Sequence, residues 1–250
     1  MNVVMCDQGE CMTGQMIEFD TAGTPAQGYL AAPDAALSAV GSGAPGVIVL
    51  HAWWGLTEPF RQVCDRLAEA GFVALAPDLY RGKTTASVEE AEALVTALDE
   101  EVERVRGDIA GAVQYLRHYG ATSPADGRGV LGLIGFSLGG AYALGASVTL
   151  AAEIAAVVIF YATYTGLDFS KASAAYLCHF AEHDPFEPAE SVAELKQEFQ
   201  AAGRPFTFYT YPGTTHWFFE ANRPDAYNAA AAALAWERTL AFLNTQLRQT

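Results

Sequence analysis

The sequence predicts an α/β fold with a mostly parallel central sheet and helices on both of its faces. Three observations carry that expectation. Short apolar runs recur along the chain, the clearest being Gly46-Val-Ile-Val-Leu-His51, as expected of strands buried on both faces. Stretches with apolar residues at helical spacing alternate with them. Gly129 to Leu144 then reads as a strand, a sharp turn at Gly135-Phe-Ser-Leu-Gly139, and a helix of small and apolar residues.

In chain order, Met16–Phe19 and Gln27–Ala31 flank Thr-Ala-Gly-Thr-Pro and predict an edge hairpin. Ala31 to Pro45, rich in Ala, Gly, Ser and Pro, predicts a surface loop. After the Gly46 strand a helix is expected with Thr57 as its cap, Pro59 in its first turn, Phe60, Val63, Leu67 and Ala70 as its apolar stripe, and Gly71 at its end. Phe72–Pro77 is the next strand. From Val88 to His118 the apolar spacing is helical, but the stretch is long for one globular helix and two are expected. The Gly129 strand and its helix follow. Later strands are expected at Ala156–Tyr161, Ala175–Phe180 and Thr207–Tyr211. Helices are expected at about Pro188–Ala202 and from about Asp225, the last with Trp236, Leu240, Leu243 and Leu247 on one stripe.

The 250 residues, 51% of them hydrophobic, suffice for one large core, and no linker divides them. Residues 1–250 are therefore read as one domain, with 1–15 as an N-terminal extension or a disordered segment. No apolar run is long enough to span a bilayer, and the first residues lack the features of a signal peptide, so a cytoplasmic protein is expected. The net charge of −15 argues against nucleic acid and membrane surfaces as partners. Cys6, Cys11, Cys64 and Cys178 are too few and too scattered for a disulfide framework, and reduced thiols are expected.

The chemistry centres on the turn. G-x-S-x-G between a strand and a helix is the nucleophile elbow: the glycines remove Cβ atoms from a tight turn, and Ser137 is lifted above the sheet edge. A serine needs a base and donors for the oxyanion. The Leu138 amide faces the expected oxyanion. His216 follows the last strand and Asp184 the one before, so both fall at the carboxyl edge where active sites lie in such sheets. The roles follow: His216 takes and returns the proton, and Asp184 fixes its tautomer. Glu182, Glu187 and, more weakly, Asp168 compete with Asp184 for the acid. His118 ends a helix, where a cation suits the dipole. His51 is a candidate pocket residue. His179-Phe-Ala-Glu-His183 matches H-x-x-E-H, but that zinc pattern requires a helix, and the first histidine here ends a strand, so no metal is expected.

With these residues assembled, the chain resembles the dienelactone hydrolase family from about Met16 to its C-terminus. The likeness rests on Gly46 to Leu56, Ala76-Pro-Asp-Leu-Tyr80, the elbow, Glu182 to Pro188, Tyr211-Pro-Gly-Thr-Thr-His216 and Trp236 to Leu243. The resemblance implies an α/β-hydrolase fold without a large lid domain, no cofactor, and hydrolysis of small esters or lactones. Matched positions give Ser137, Asp184 and His216 as the triad and the amides of Leu138 and Trp53 as the oxyanion hole.

Three positions depart from the family pattern. Serine stands where the type enzymes use cysteine. Ala52 replaces a glutamate that holds a resting thiol, which a serine activated directly by histidine does not need. Of two arginines that clamp a substrate carboxylate, Arg81 matches one with a displacement of one residue, and Glu220 stands in place of the other. Glu220 would repel a carboxylate, and Arg223 is the remaining cation nearby. The expected pocket comprises His51, Ala52, Trp54, Tyr80, Arg81, Phe136, Trp217, Phe218 and Glu220, with Phe219 beside it. Its aromatic character favours a neutral ester or lactone with an apolar or aryl group. A monomer or small homo-oligomer is expected. Acyl transfer or peptide hydrolysis by the same triad, and a non-catalytic ligand-binding protein on this scaffold, are the alternatives.

Overall fold

The computed structural model describes residues 14–33, 44–119 and 131–248. Most of residues 1–15 and of the Ala31–Pro45 loop, together with Cys6, Cys11, Gly129 and Val130, lie outside them.

The strands are β1 (Gln15–Phe19), β2 (Ala26–Ala31), β3 (Gly46–Leu50), β4 (Val73–Pro77), β5 (Leu131–Phe136), β6 (Ile154–Phe160), β7 (Ala175–His183) and β8 (Phe206–Thr215). The helices are α1 (Glu58–Glu69), α2 (Val88–Asp99), α3 (Val102–Tyr119), α4 (Leu138–Thr149), α5 (Ala189–Ala201) and α6 (Ala229–Leu247). The sheet order is β1-β2-β4-β3-β5-β6-β7-β8. β1 and β2 form the expected edge hairpin, β2 also pairs antiparallel with β4, and every other pairing is parallel. This is an α/β-hydrolase-like fold.

The two cores follow from strand alternation. Val47 and Val49 of β3 face a cluster containing Phe60, Val63 and Leu67 of α1 and Trp236 and Leu243 of α6. Ile48 and Leu50 point to the opposite face, where Val105, Ile109 and Leu116 of α3 and Leu144 of α4 cover them. Burial on both sides is why these strands read as unbroken apolar runs. Each such side chain contributes about 1.5–3 kcal/mol on leaving water.

The break in the long helical stretch falls at Glu100 and Glu101. Acidic residues oppose the negative end of one helix and suit the positive start of the next, where Glu103 sits in the first turn of α3. Thr57 occupies the cap position of α1 but its side chain makes no capping bond. The last helix begins at Ala229, later than expected, because the Asn228 side chain accepts from the Ala231 amide and starts it there. Cys64 and Cys178 are buried free thiols. Among the described residues no helix is long and apolar enough to cross a membrane.

Candidate active site

Parallel strands deliver three loops to one edge of the sheet. β5 ends at Phe136, and Ser137 follows with φ +49° and ψ −117°, strained for a residue with a Cβ. The turn closes only because its flanking residues are glycines. A Cβ on Gly135 would lie 2.4 Å from the Gly139 carbonyl oxygen, and one on Gly139 would lie 2.3 Å from that of Leu50. Ser137 is half-buried, and its amide donates to the Phe160 carbonyl at 3.0 Å.

Two strands over, β7 runs past Phe180 to His183 and delivers Asp184; β8 runs past Tyr211 to Thr215 and delivers His216. Ser137 Oγ lies 2.9 Å from His216 Nε2. His216 Nδ1 lies 2.8 Å from both Asp184 oxygens. Because an ionised carboxylate only accepts, Nδ1 carries the proton and Nε2 accepts from the serine hydroxyl. Asp184 is itself fixed: its Oδ1 accepts from the amides of Phe186 at 3.0 Å and Glu187 at 3.2 Å. Both the histidine and aspartate side chains are only 3% exposed.

The rival acids lie elsewhere. The Glu187 carboxylate accepts from the Thr163 hydroxyl at 2.6 Å, and Glu182 accepts from the Gly213 amide at 2.8 Å. Asp168 pairs with Lys171 on the surface. His179 of the H-x-x-E-H segment is buried on β7 between Tyr211 and Thr239, whereas His183 is exposed, so strand geometry separates the two imidazoles.

The amides of Leu138 and Trp53 donate to no other group among the described residues. They leave adjacent strands, β5 and β3, whose last paired residues are Gly135 and Leu50. Trp53 and Trp217 keep partial exposure and stack at 5.9 Å. Phe186, whose part in the site the sequence reading missed, closes this wall at 4.8 Å from the His216 ring and 5.7 Å from Trp53. A large apolar side chain two residues after the acid, in a turn between two prolines, was its only signal.

The structure corrects most of the expected pocket. Ala52, Trp54, Phe136 and Phe218 are fully buried in the core cluster that also holds Phe60 and Phe160. His51 is also fully buried: Nδ1 donates to the Ala52 carbonyl and Nε2 accepts from the Leu79 amide, so it ties the end of β3 to the segment after β4. Burial pushes its pKa down, consistent with a neutral ring. Tyr80 packs in the opposite core, 5% exposed. Arg81 does not serve a cleft, since its guanidinium donates to Asp108 at 2.6 Å and to the Pro25 carbonyl.

Glu220 is buried rather than lining a mouth, and it accepts from the Tyr161 hydroxyl at 2.8 Å. Burial raises its pKa to about 7, against the opposing pull of Tyr161 and Arg223. Tyr161, with φ +39°, lays its ring 4.8 Å from that of His216, so Glu220 underpins the histidine through it. Arg223 stacks on Trp54 at 3.3 Å. Of the four described non-glycine residues with positive φ, Ser137, Tyr161 and Trp217 surround this one site; Arg81 is the fourth.

Comparison with known proteins agrees with this architecture. The family model described as "Dienelactone hydrolase family" matches residues 26–247. Protein usf of Aquifex pyrophilus is 33% identical over 240 residues, covering 94% of this chain and 99% of that protein. Carboxymethylenebutenolidase of Pseudomonas putida is 29% identical over 218 residues, covering 80% of this chain and 85% of that enzyme. Among solved structures, a dienelactone hydrolase-like promiscuous phosphotriesterase from metagenomic libraries superposes with a TM-score of 0.80 at 20% identity, covering 94% of this chain and 99% of its own. On the family match across more than four-fifths of its length, this chain belongs to the dienelactone hydrolase family.

Proposed function

We propose that the protein is a serine hydrolase of small carboxylic esters or lactones that works through an acyl-enzyme. The observation that carries this reading is the hydrogen-bonded chain from Ser137 through His216 to Asp184. Ser137 Oγ attacks the substrate carbonyl carbon while its proton passes to His216 Nε2, and Asp184 stabilises the imidazolium. The resulting oxyanion accepts hydrogen bonds from the Leu138 and Trp53 amides. Collapse breaks the bond to the alkoxide, which leaves with the proton from Nε2. A water then repeats the sequence, His216 taking its proton, and releases the acid and free Ser137. With a lactone the leaving alcohol stays tethered to the acyl group, and one ring-opened hydroxy acid results.

The aromatic wall of Trp53, Phe186 and Trp217 favours an apolar or aryl acyl or alcohol group. Arg81 is engaged by Asp108, Glu220 stands in the other family position, and Arg223 lies over Trp54 and donates to the Ala86 carbonyl, so among the described residues none of these three positions offers a free cation to a substrate carboxylate. The substrate is therefore a neutral ester or lactone. Hydrolysis of p-nitrophenyl acetate and butyrate by wild type and by Ser137→Ala tests the reading. The variant is expected to lose at least about a thousandfold in kcat; equal rates would reject the assignment.

A further inference from the structure

Among the described residues, three aromatic rings pack on the His216 imidazole, and they are not equivalent. Phe186 lies at 4.8 Å and Trp217 at 5.0 Å. The first is 48% exposed and the second half-buried, so both belong to the open cleft. Tyr161, also at 4.8 Å, is fully buried. It is the inward support of the ring.

Tyr161 is held from both ends. Its amide donates to the His179 carbonyl at 2.8 Å, with the backbone in the left-handed region, and the Phe160 carbonyl just before it accepts from the Ser137 amide at 3.0 Å. Consecutive residues at the end of β6 thus touch the nucleophile and the base. The Tyr161 hydroxyl donates to Glu220 Oε1 at 2.8 Å. Glu220 lies four residues after His216, in a turn closed by its own amide on the Trp217 carbonyl at 2.9 Å. The contacts therefore form a closed circuit, from His216 along the chain to Glu220, across to Tyr161, and back to the imidazole. Burying a carboxyl costs stability, and an apolar side chain of similar size would fill this site without that cost, so packing alone does not account for Glu220.

We propose that Glu220 and Tyr161 are a positioning pair for the triad: the carboxyl pins the tyrosine hydroxyl, and the pinned ring sets the tilt of the His216 imidazole so that Nε2 and Nδ1 meet Ser137 and Asp184 together. The assignment rests on the serine-hydrolase reading above, and it gives the residue in the substituted arginine position a task at the base instead of at the substrate. The need arises during acyl transfer. Once Ser137 Oγ is bonded to the acyl carbon it has given up its proton, and the hydrogen bond from Nδ1 to Asp184 leaves the ring free to rock about that bond. The Tyr161 ring then keeps Nε2 aimed at the leaving oxygen, and afterwards at the attacking water.

The experiment compares wild type, Tyr161→Phe, Glu220→Leu, Glu220→Gln and the double variant Tyr161→Phe/Glu220→Leu. Three readouts are taken: kcat and KM on p-nitrophenyl butyrate, the low-field proton resonance of His216 Nδ1, and thermal melting. Tyr161→Phe and Glu220→Leu are each expected to lower kcat by about ten- to a hundredfold with KM within about twofold, because the reaction feels a small misplacement of the base and neither buried side chain reaches the substrate. The double variant should lose no more than the larger single loss, since the two residues act in series. Glu220→Gln, whose amide oxygen still accepts from Tyr161, should return kcat to within about threefold of wild type. The resonance should shift or broaden in the two single variants and be restored in Glu220→Gln, while Glu220→Leu melts no lower than wild type. If wild type hydrolyses no ester but the resonance responds in this way, the positioning pair stands and the ester reading falls. Losses that multiply in the double variant, or a wild-type kcat and an unmoved resonance in Glu220→Leu, overturn the proposal and leave the ester reading intact. So does a kcat loss that Glu220→Gln shares in full, which would assign the effect to the charge and not to the bond with Tyr161.

Discussion

Asp184 presents both carboxylate oxygens to Nδ1 of His216 at 2.8 Å, while Glu187, three residues later, turns its own carboxylate to Thr163. The two acids share a turn but not a partner. Asp184→Asn places an amide where the imidazole needs an acceptor, and kcat is expected to fall by about ten-thousandfold. Glu187→Gln is expected to keep kcat near wild type. Esterase kinetics on the two variants check this, and the opposite ranking would move the acid to Glu187.

The elbow leaves no room at Gly139. Gly139→Ala drives a methyl group against the Leu50 and His51 carbonyls, at 2.3 and 2.6 Å. A loss of at least about 2 kcal/mol is expected in urea unfolding, if the variant folds. Gly107→Ala in α3 meets nothing within 4 Å and should instead gain about 0.5–1 kcal/mol.

Glu220 makes stability depend on pH in a defined direction. Its pKa in the fold is about 7 against an ordinary 4.5, so the folded chain holds this proton more tightly than the unfolded one. Its contribution is complete below about pH 4.5 and is lost as pH rises through about 7. Glu220→Gln, which still accepts from Tyr161, lacks that loss. Relative to wild type, the variant's Tm should rise between pH 4.5 and 8, by the equivalent of about 3 kcal/mol. A pH-independent difference in thermal melts would contradict the burial argument.

Asp108, 1% exposed, is held by Arg81 at 2.6 Å and Arg104 at 2.8 Å. Asp108→Ala removes the buried partner of two guanidinium groups, of which Arg81 keeps the Pro25 carbonyl and Arg104 keeps Glu101, and is expected to cost at most about 3 kcal/mol. Arg81→Ala should lower Tm while leaving the KM ratio between a neutral ester and a carboxylate-bearing one unchanged. A rise in KM confined to the charged ester would return Arg81 to substrate binding.

Legibility in the sequence followed how directly burial writes itself into spacing. The uninterrupted run at β3 and the Phe60, Val63, Leu67 stripe of α1 named their faces without the structure. Ser137, Asp184 and His216 were legible as positions because each follows a strand, and parallel strands end at one edge. Loops carry no period. Trp53 and Trp54 are neighbours of one type, yet the first faces the cleft and the second is core; Trp217 and Phe218 divide the same way. Arg81 and Glu220 were read from charge, but their partners, Asp108 on α3 and Tyr161 after β6, are supplied by the fold. Phe186 enters the site only because the Asp184 turn folds back over His216.

Because Asp184 is anchored by the amides of Phe186 and Glu187, the acid and the aromatic lid over the histidine belong to one backbone unit. Any insertion or loop exchange that reshapes the cleft through residue 186 therefore displaces the carboxylate hydrogen-bonded to His216 as well. Retailoring selectivity at this wall is confined to side-chain exchanges within an intact turn, or to transplanting residues 184–187 as a single cassette.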